Sequence, residues 1–289
     1  MTRLAFSFDE LGQYQLQQSV TDFAAEMVAY KRASDHAYLD LAGYLSTQQY
    51  GATPEECADI FAAKKPNSPL FLFIHGGYWR MLSRKDSFMM AKNLHASGAA
   101  VMSIDYGLAP AFSLSQMIDQ CAQALAWIRK NAHRFNVNPD LIHISGSSAG
   151  AHLAAMLLGK DAQKPKGKRQ IHSASLISGL MDLAPLIHTP VNQWLKLDSH
   201  QAALYSPVLH LPAEGVPVLI SWGEQEPKVM HDQSRHFASQ CEQAGCQVTS
   251  FLVPKCNHFN ILMEFEDPNS GLSRTVFEMM RTMKGDSNV

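Results

Sequence analysis

The sequence has few cysteines and no pattern that would pair or cluster them. Its 289 residues include five cysteines, an odd number, and none forms a C-x-x-C pair. A disulfide framework is therefore not indicated, and a reducing compartment, the cytoplasm, is expected. H-E-x-x-H motifs and Cys/His spacings that suit zinc are missing, so we expect no metal. G-x-G-x-x-G and Walker loops are missing too, and we expect no cofactor.

The sequence also lacks long apolar runs and an excess of charge of one sign. No stretch approaches the roughly 18 to 20 apolar residues that a membrane span needs. Asp9 and Glu10 interrupt the N-terminus before an apolar region could form, so a secretory signal is not expected. The formal net charge is −2, which argues against electrostatic capture of nucleic acid or an anionic membrane.

Short apolar runs are the main feature that is present. Six runs rich in Val, Ile, Leu and Phe are typical of buried parallel strands, at Leu70–Ile74, Ala99–Ile104, Leu141–Ile144, Ala174–Ile177, Val218–Trp222 and Val248–Val253. Helical periods separate most of them, with glycines at 159 and 245 expected to end two of the helices. This alternation predicts an α/β fold with a mostly parallel, doubly wound sheet and helices on both faces.

We expect one domain over residues 1–289. Residues 1–49 are interpreted as a helical extension without clear caps. Residues 183–215 break the strand–helix rhythm with proline-punctuated, aromatic-containing sequence. This stretch is either a lid or cap insertion that shields a site, or helix and loops of purely structural use.

The strongest local signal is the segment LIHISGSSAGAHLAA, which holds a G-x-S-x-G motif between an apolar strand and an Ala-rich helix. A strand that turns this sharply into a helix leaves no room for side chains two positions before and after the central residue. The turn exposes the hydroxyl of Ser148 and points the amide of Ala149 at an incoming carbonyl oxygen. Ser148 is therefore predicted as a nucleophile, with Ala149 as an oxyanion donor.

A second motif, HGGYW, follows the apolar run that ends at residue 74. Two glycines let the backbone bend so that its N–H groups can stabilise the negative charge of a tetrahedral intermediate. Gly76, Gly77 and Tyr78 are the candidate donors, and the sequence does not decide among them. His75 is interpreted as structural, and Trp79 is assigned to a substrate pocket.

A nucleophilic serine needs an imidazole to accept its proton, and position must choose among 13 histidines. His258 follows the last predicted strand, where the chain order nucleophile, acid, histidine places the base. Glu226, three residues after the strand that ends at Gly223, is our choice for the acid that orients it. Asp182, which follows the preceding strand, is the main rival.

These motifs together resemble the kynurenine formamidase, or arylformamidase, branch of the α/β hydrolases. The resemblance rests on HGGYW, G-S-S-A-G, G-E-Q-E and N-H-F-N and runs from about Tyr50 to Met280. HGGYW is its most specific part, since related lipases carry a third glycine where Tyr78 stands. The resemblance implies a triad of Ser148, Glu226 and His258, although many members carry Asp in place of this Glu.

The resemblance implies a serine hydrolase that releases formate from an aryl formamide such as N-formylkynurenine through an acyl-enzyme. The first alternative is a general carboxylesterase for short-chain or aryl esters, because the branch contains many esterases. A non-catalytic ligand receptor on a hydrolase scaffold is a further alternative, although such proteins usually lose the nucleophile or the base. The expected partner is a small-molecule substrate, with a homodimer as a possible assembly.

Overall fold

A computed structural model describes residues 6–165 and 167–281 of the chain. One sheet organises these residues, with strand order β1-β2-β4-β3-β5-β6-β7-β8. Its strands are β1 (Leu45–Gln49), β2 (Cys57–Phe61), β3 (Ser68–Ile74), β4 (Ala100–Ile104), β5 (Val137–Ser147), β6 (Ser173–Ile177), β7 (Pro217–Gly223) and β8 (Gln247–Val253). The expected single-domain range extends beyond the described residues at 1–5, 166 and 282–289.

The sheet is parallel from β4 through β3, β5, β6 and β7 to β8. The six predicted apolar runs coincide with these six strands, so the mostly parallel sheet is confirmed. The remaining two strands pair antiparallel at one end, β1 with β2 and β2 with β4. Strand β1 corrects the prediction of a wholly helical segment up to residue 49. Its sequence, LSTQQ, alternates exposed and half-buried residues, as an edge strand can.

Helices cover both faces of the sheet. They are α1 (Phe8–Gly12), α2 (Phe23–Asp40), α3 (Ala91–Ala96), α4 (Leu114–Asn131), α5 (Ala149–Ala162), α6 (Asn192–Leu195), α7 (Ser199–Leu204), α8 (Lys228–Gln243) and α9 (Gly271–Arg281). Alternate side chains of β3 enter two separate cores. Leu72 packs in the core that includes residues of α4, α5 and α8. Phe71 packs in the core that includes residues of α2, α3 and α9.

Two helix ends differ from the expectation. Helix α2 has a cap after all, since the side chain of Asp22 accepts a hydrogen bond from the amide of Ala25 at 2.9 Å. Helix α5 continues past Gly159 to Ala162. A Cβ at Gly159 would lie 2.5 Å from the carbonyl oxygen of His210. This glycine therefore permits close packing inside a helix and does not end it.

Residues 183–215 hold two short α-helices, α6 and α7, and two 3-10 turns. The indole of Trp194 donates a hydrogen bond to the carbonyl oxygen of Tyr78 at 3.0 Å, which ties this segment to the HGGYW loop. Its role as a lid stays a prediction. Within residues 6–165 and 167–281, no helix is both long enough and apolar enough to cross a membrane.

Candidate active site

The carboxyl ends of the parallel strands meet at one edge of the sheet. Ile74 pairs with Gly146 across β3 and β5, and Ser147 pairs with Ile177 across β5 and β6. Gly223 pairs with Val253 at the ends of β7 and β8. The loops that follow these strands therefore share an edge, which is where ligands bind in open α/β sheets.

The turn from β5 into α5 holds Ser148 in a strained backbone conformation, with φ 57° and ψ −120°. The glycines on either side are required by contact. A Cβ at Gly146 would lie 2.3 Å from the carbonyl carbon of Gly150, and one at Gly150 would lie 2.0 Å from the carbonyl oxygen of Ile74. The described residues make no hydrogen bond to the Ser148 hydroxyl, which lines a pocket. The turn presents this hydroxyl to the pocket.

The HGGYW loop lies against this turn. A Cβ at Gly76 would lie 2.8 Å from the carbonyl oxygen of Ser147 and 3.3 Å from the Cβ of Ser148. The next three residues all have positive φ, 97° at Gly77, 49° at Tyr78 and 57° at Trp79. Strain of this kind persists only where the surroundings fix the backbone. Gly76 and Gly77 line the same pocket as Ser148.

Ala149 and His75 complete the surroundings of this loop. Ala149 is buried at the first position of α5, where the free amides of a helix favour negative charge. His75 stacks on Tyr106 with ring centroids 4.4 Å apart, and the Tyr106 hydroxyl donates to the carbonyl oxygen of His75 at 2.8 Å. Burial lowers the pKa of His75, so its ring is neutral at neutral pH.

Glu226 and His258 form a buried hydrogen-bonded pair. Glu226 Oε2 lies 2.9 Å from His258 Nδ1, and both side chains are nearly inaccessible to solvent. Glu226 Oε1 accepts from the Ser178 hydroxyl at 2.5 Å and from the Gly223 amide at 2.7 Å. Burial by itself raises the pKa of Glu226, but His258 and these donors outweigh it and hold the pKa below its ordinary value of 4.5.

Asp182, the rival for the acid, makes different contacts. Its Oδ1 accepts from the amide of Ala184 at 2.9 Å, two residues along the chain. Its own amide donates to the side chain of Gln233 at 2.8 Å. The structure thus brings Glu226, and not Asp182, against His258.

The loop that carries His258 is fixed from both sides. Asn257 Oδ1 accepts from the amides of Phe259 and Asn260, at 2.8 and 3.0 Å. Asn257 Nδ2 donates to Glu26 of helix α2 at 2.6 Å. Phe259 meets Phe23 of α2 edge to face, with centroids 4.9 Å apart. These contacts hold the imidazole at the pocket while its Nδ1 faces Glu226.

Ser148 and His258 line one narrow pocket with a cavity volume of about 60 Å³. A buried site needs about 10 to 15 Å³ for each water, so the free space suits a compact group. The lining is mainly apolar and consists of Leu16, Gln17, Phe23, Met27, Tyr30, Gly76, Gly77, Tyr78, Met81, Leu82, Ser147, Ser148, His258 and Phe259. None of these residues belongs to the segment 183–215.

Trp79 differs from its expected place in the pocket. It is fully buried and does not line the pocket. Its indole donates to His152 Nδ1 at 3.2 Å, and His152 Nε2 lies 2.7 Å from the carbonyl oxygen of Tyr205. Burial lowers the pKa of His152 to about 4, so the ring is neutral and its Nδ1 accepts the hydrogen bond from the indole N–H. Trp79 therefore anchors its own HGGYW loop to the buried His152 and does not contribute to the pocket lining.

Two features of the site were not identified from the sequence. Ser178 contacts Glu226. Its only signal in the sequence is its position directly after the apolar run of β6, and in the structure it has a positive φ of 52°. The second feature is the group of pocket residues between 16 and 30. They precede the first strand and carry no motif, so nothing in the sequence pointed to them.

Known proteins that are similar in sequence include a formamidase and an esterase. The chain is 29% identical to a kynurenine formamidase of Salmo salar over 264 residues, which are 89% of this chain and 88% of that protein. It is 27% identical to the esterase LipQ of Mycobacterium tuberculosis over 212 residues, 66% of this chain and 50% of LipQ.

Among solved structures, a candidate thioesterase of Silicibacter sp. TM1040 superposes with a TM-score of 0.80 at 24% identity, covering 91% of this chain and 97% of that one. This likeness supports the α/β-hydrolase fold. The model of the BD-FAE family matches residues 58–241, which is more than half of the chain. The chain thus belongs to the BD-FAE family and is a serine hydrolase of the α/β-hydrolase fold.

Proposed function

We propose that Ser148, His258 and Glu226 form the catalytic triad of this hydrolase. The observation that carries the proposal is the buried Glu226–His258 hydrogen bond beside the pocket that Ser148 lines. Glu226 accepts a hydrogen bond from the N–H at Nδ1 of His258, which leaves Nε2 free to accept a proton from the serine. The pair therefore supplies the general base that a serine nucleophile requires.

The reaction begins when Ser148 Oγ attacks the substrate carbonyl carbon and His258 accepts the hydroxyl proton. The carbonyl oxygen takes the electron pair and becomes an oxyanion beside Gly76, Gly77, Tyr78 and Ala149. Preorganised amides at such a place typically contribute about 3 to 4 kcal/mol each to the transition state. As the oxyanion collapses, His258 protonates the leaving amine or alcohol, and an acyl-serine remains.

Water completes the cycle by a second attack, in which water is the nucleophile and Ser148 Oγ is the leaving group. His258 accepts a proton from water, the hydroxide attacks the acyl carbon, and the proton returns to Ser148 Oγ as the acid leaves. Throughout, Glu226 stabilises the imidazolium without taking the proton. The low pKa of Glu226 keeps it ionised for this role at neutral pH.

The substrate that we propose is an aryl formamide such as N-formylkynurenine, with formate as the acid released. The relatives named kynurenine formamidase support this choice. The narrow, mainly apolar pocket supports a small acyl group on an aromatic leaving group. The alternative is a short-chain or aryl ester, which the likeness to an esterase supports.

A panel of matched substrates tests the proposal. Purified enzyme is assayed with formanilide, N-formylkynurenine and p-nitrophenyl acetate, and a fluorophosphonate probe counts reactive serines. We expect Ser148-dependent formate release from formanilide, one labelled serine in the wild type, and neither signal in Ser148→Ala. Rapid ester cleavage with no formamide turnover would favour the esterase, and an unlabelled wild type would contradict Ser148 as nucleophile.

We further propose a single domain and a reducing, cytoplasmic location. All described strands belong to one sheet, which supports the first point. The five cysteines are free thiols, which is compatible with the second. We propose that segment 183–215 stabilises the HGGYW loop through two contacts. The indole of Trp194 donates to the carbonyl oxygen of Tyr78, and the carbonyl oxygen of Tyr205 binds the ring of His152, which in turn accepts from the indole of Trp79.

A further inference from the structure

One side of the pocket is built by an N-terminal segment that the triad chemistry does not use. We define the N-terminal wall as Leu16, Gln17, Phe23, Met27 and Tyr30, all of which line the pocket together with Ser148 and His258. Given the proposed function, we infer that this wall is the subsite for the aromatic ring of the leaving group and that it disfavours charge attached directly to that ring, whereas a charged chain such as the amino-acid group of kynurenine stays in water.

The chemistry of the wall supports an apolar ring. Three of its members are hydrocarbon or thioether side chains, and the hydroxyl of Tyr30 is already engaged with Ser87 at 2.9 Å. Gln17 is exposed, and its side chain makes no hydrogen bond within the described residues. The wall thus offers apolar surface and one neutral amide to whatever binds.

Charge is missing from this pocket. Across the described ranges, no Asp, Glu, Lys or Arg side chain lines it. A carboxylate or ammonium group that enters must lose its hydration without gaining an ionic partner, and such burial is costly. A charged substituent on the leaving group therefore has either to remain in water or to weaken binding.

The wall is fixed against the catalytic loops. The Tyr78 hydroxyl donates to the carbonyl oxygen of Tyr14 at 2.6 Å, and Gln233 of α8 donates to the Tyr14 hydroxyl at 3.0 Å. Glu26 of α2 accepts from Asn257, next to His258. Because these contacts reach the HGGYW loop, α8 and the His258 loop, the wall has a defined position for a leaving group.

Two isosteric substrate pairs test the charge preference in the wild-type enzyme. The first pair is 4-formamidobenzamide and 4-formamidobenzoate, which differ by a neutral amide and a carboxylate at the same ring position. The second pair is 4-acetoxybenzamide and 4-acetoxybenzoate. We expect kcat/KM for the neutral member to exceed that for the carboxylate by about tenfold or more in each pair that is hydrolysed.

Three variants test whether the wall is responsible. Met27→Ala should lower kcat/KM for 4-acetoxybenzamide by about tenfold, because a leaving group of this size loses its contact surface. The same variant should lower kcat/KM for methyl acetate far less, since methanol is too small to need the wall. Val28→Ala is the matched control, because this neighbour on α2 is 68% exposed. Gln17→Lys should raise the carboxylate-to-amide ratio of kcat/KM several-fold.

The outcomes separate this inference from the proposed function. Equal kcat/KM for amide and carboxylate in the wild type, or an equal loss on methyl acetate in Met27→Ala, would overturn the inference. If both formamides are inert while the acetates react through Ser148, the formamide proposal fails. The ester pair then still decides the role of the wall.

Discussion

The two sides of the active-site pocket are built on different principles. The carboxyl edge of the sheet contributes buried polar groups that are held by hydrogen bonds and by backbone strain, such as Ser148 and Glu226. The N-terminal wall contributes mainly apolar side chains from a helix and a turn that lie outside the sheet. Under the proposed function, this comparison assigns the chemistry to backbone geometry and the specificity to side chains that could be exchanged without disturbing that geometry.

This difference predicts how substitutions on each side should behave. Changes at the sheet edge should lower kcat for every substrate, because in the proposed mechanism every reaction uses the same base and the same oxyanion donors. Changes in the wall should affect substrates according to their leaving group. The following variants test the comparison, from the largest expected loss to the smallest.

The largest effect is expected for Glu226→Gln. The amide can donate to His258 Nδ1 and so stabilise the tautomer that cannot accept the serine proton. In a serine-protease triad the equivalent change lowers kcat by about 10⁴, and we expect a loss of about 10³ to 10⁴ here. Steady-state rates on formanilide and on p-nitrophenyl acetate measure it. Glu224→Gln is the matched control, because Glu224 is exposed and, among the described residues, its side chain accepts only from the amide of Lys255.

Equal activity of Glu226→Gln and Glu224→Gln would contradict the role of Glu226 as the acid that orients His258. Asp182→Asn would then be the next variant, although Asp182 bonds to the amide of Ala184 in the structure. A loss confined to one substrate class would contradict the expectation that changes at the sheet edge affect every substrate, because the proposed base serves all of them.

Gly76→Ala should lower kcat by about 10² to 10³. The new methyl group would lie 2.8 Å from the carbonyl oxygen of Ser147, so the HGGYW loop must move away from residues 146–150, the turn that carries the proposed nucleophile (the nucleophile turn). The amides around the oxyanion then lose their alignment. Gly43→Ala is the control, because a Cβ there meets nothing within 4 Å. Unchanged kcat in Gly76→Ala, with an unchanged Tm, would show that this contact is not needed.

The nucleophile turn and the HGGYW loop were predictable because their constraints are local. Gly146 and Gly150 are required by contacts of 2.3 and 2.0 Å that only a hydrogen side chain tolerates, and such constraints appear directly as a motif. The location of His258 at this edge, against Glu226, was predictable from its position after the last strand, since chain order determines which loops reach the edge. The parallel sheet was predictable for the same reason, because strands buried on both faces are continuous apolar runs.

The features that escaped prediction depend on distant contacts. Ser178 meets Glu226 from a position 48 residues earlier in the chain. Residues of the N-terminal wall reach a pocket whose nucleophile is more than 100 residues away. Strand β1 was assigned to a helical segment because LSTQQ carries no apolar alternation, and only its pairing with β2 defines it. Trp79 was placed in the pocket by its motif, although its indole bonds to His152.

Ser178→Ala should lower kcat by about tenfold, since one hydrogen bond to an ionised carboxylate is lost while the Gly223 amide and His258 remain. Ser178 helps to lower the pKa of Glu226, so its removal should raise that pKa. A carboxyl group whose folded pKa is depressed stabilises the protein above its unfolded pKa, and this stability is lost as pH falls through the folded pKa. Acid unfolding should therefore begin at a higher pH in Ser178→Ala than in the wild type.

Ser103→Ala is the control for this prediction. Ser103 is fully buried in β4, and its hydroxyl has no hydrogen-bond partner among the described residues. It should keep wild-type kcat and a wild-type acid transition. If the two variants show the same acid transition, the hydroxyl of Ser178 does not stabilise the ionised form of Glu226.

The smallest effect is expected where the two sides of the pocket meet, at Glu26. This residue belongs to helix α2 and accepts from Asn257, whose side chain also caps the His258 loop. In Glu26→Ala we expect kcat to fall about threefold to tenfold with KM nearly unchanged, because a loosened loop aligns the base less often. Glu26→Gln keeps an acceptor oxygen and should restore kcat, whereas Asp35→Ala, a change at an exposed site on α2, should have no effect. A loss of equal size on aryl and methyl esters places Glu26 with the sheet edge, while a loss limited to aryl leaving groups would place it with the N-terminal wall.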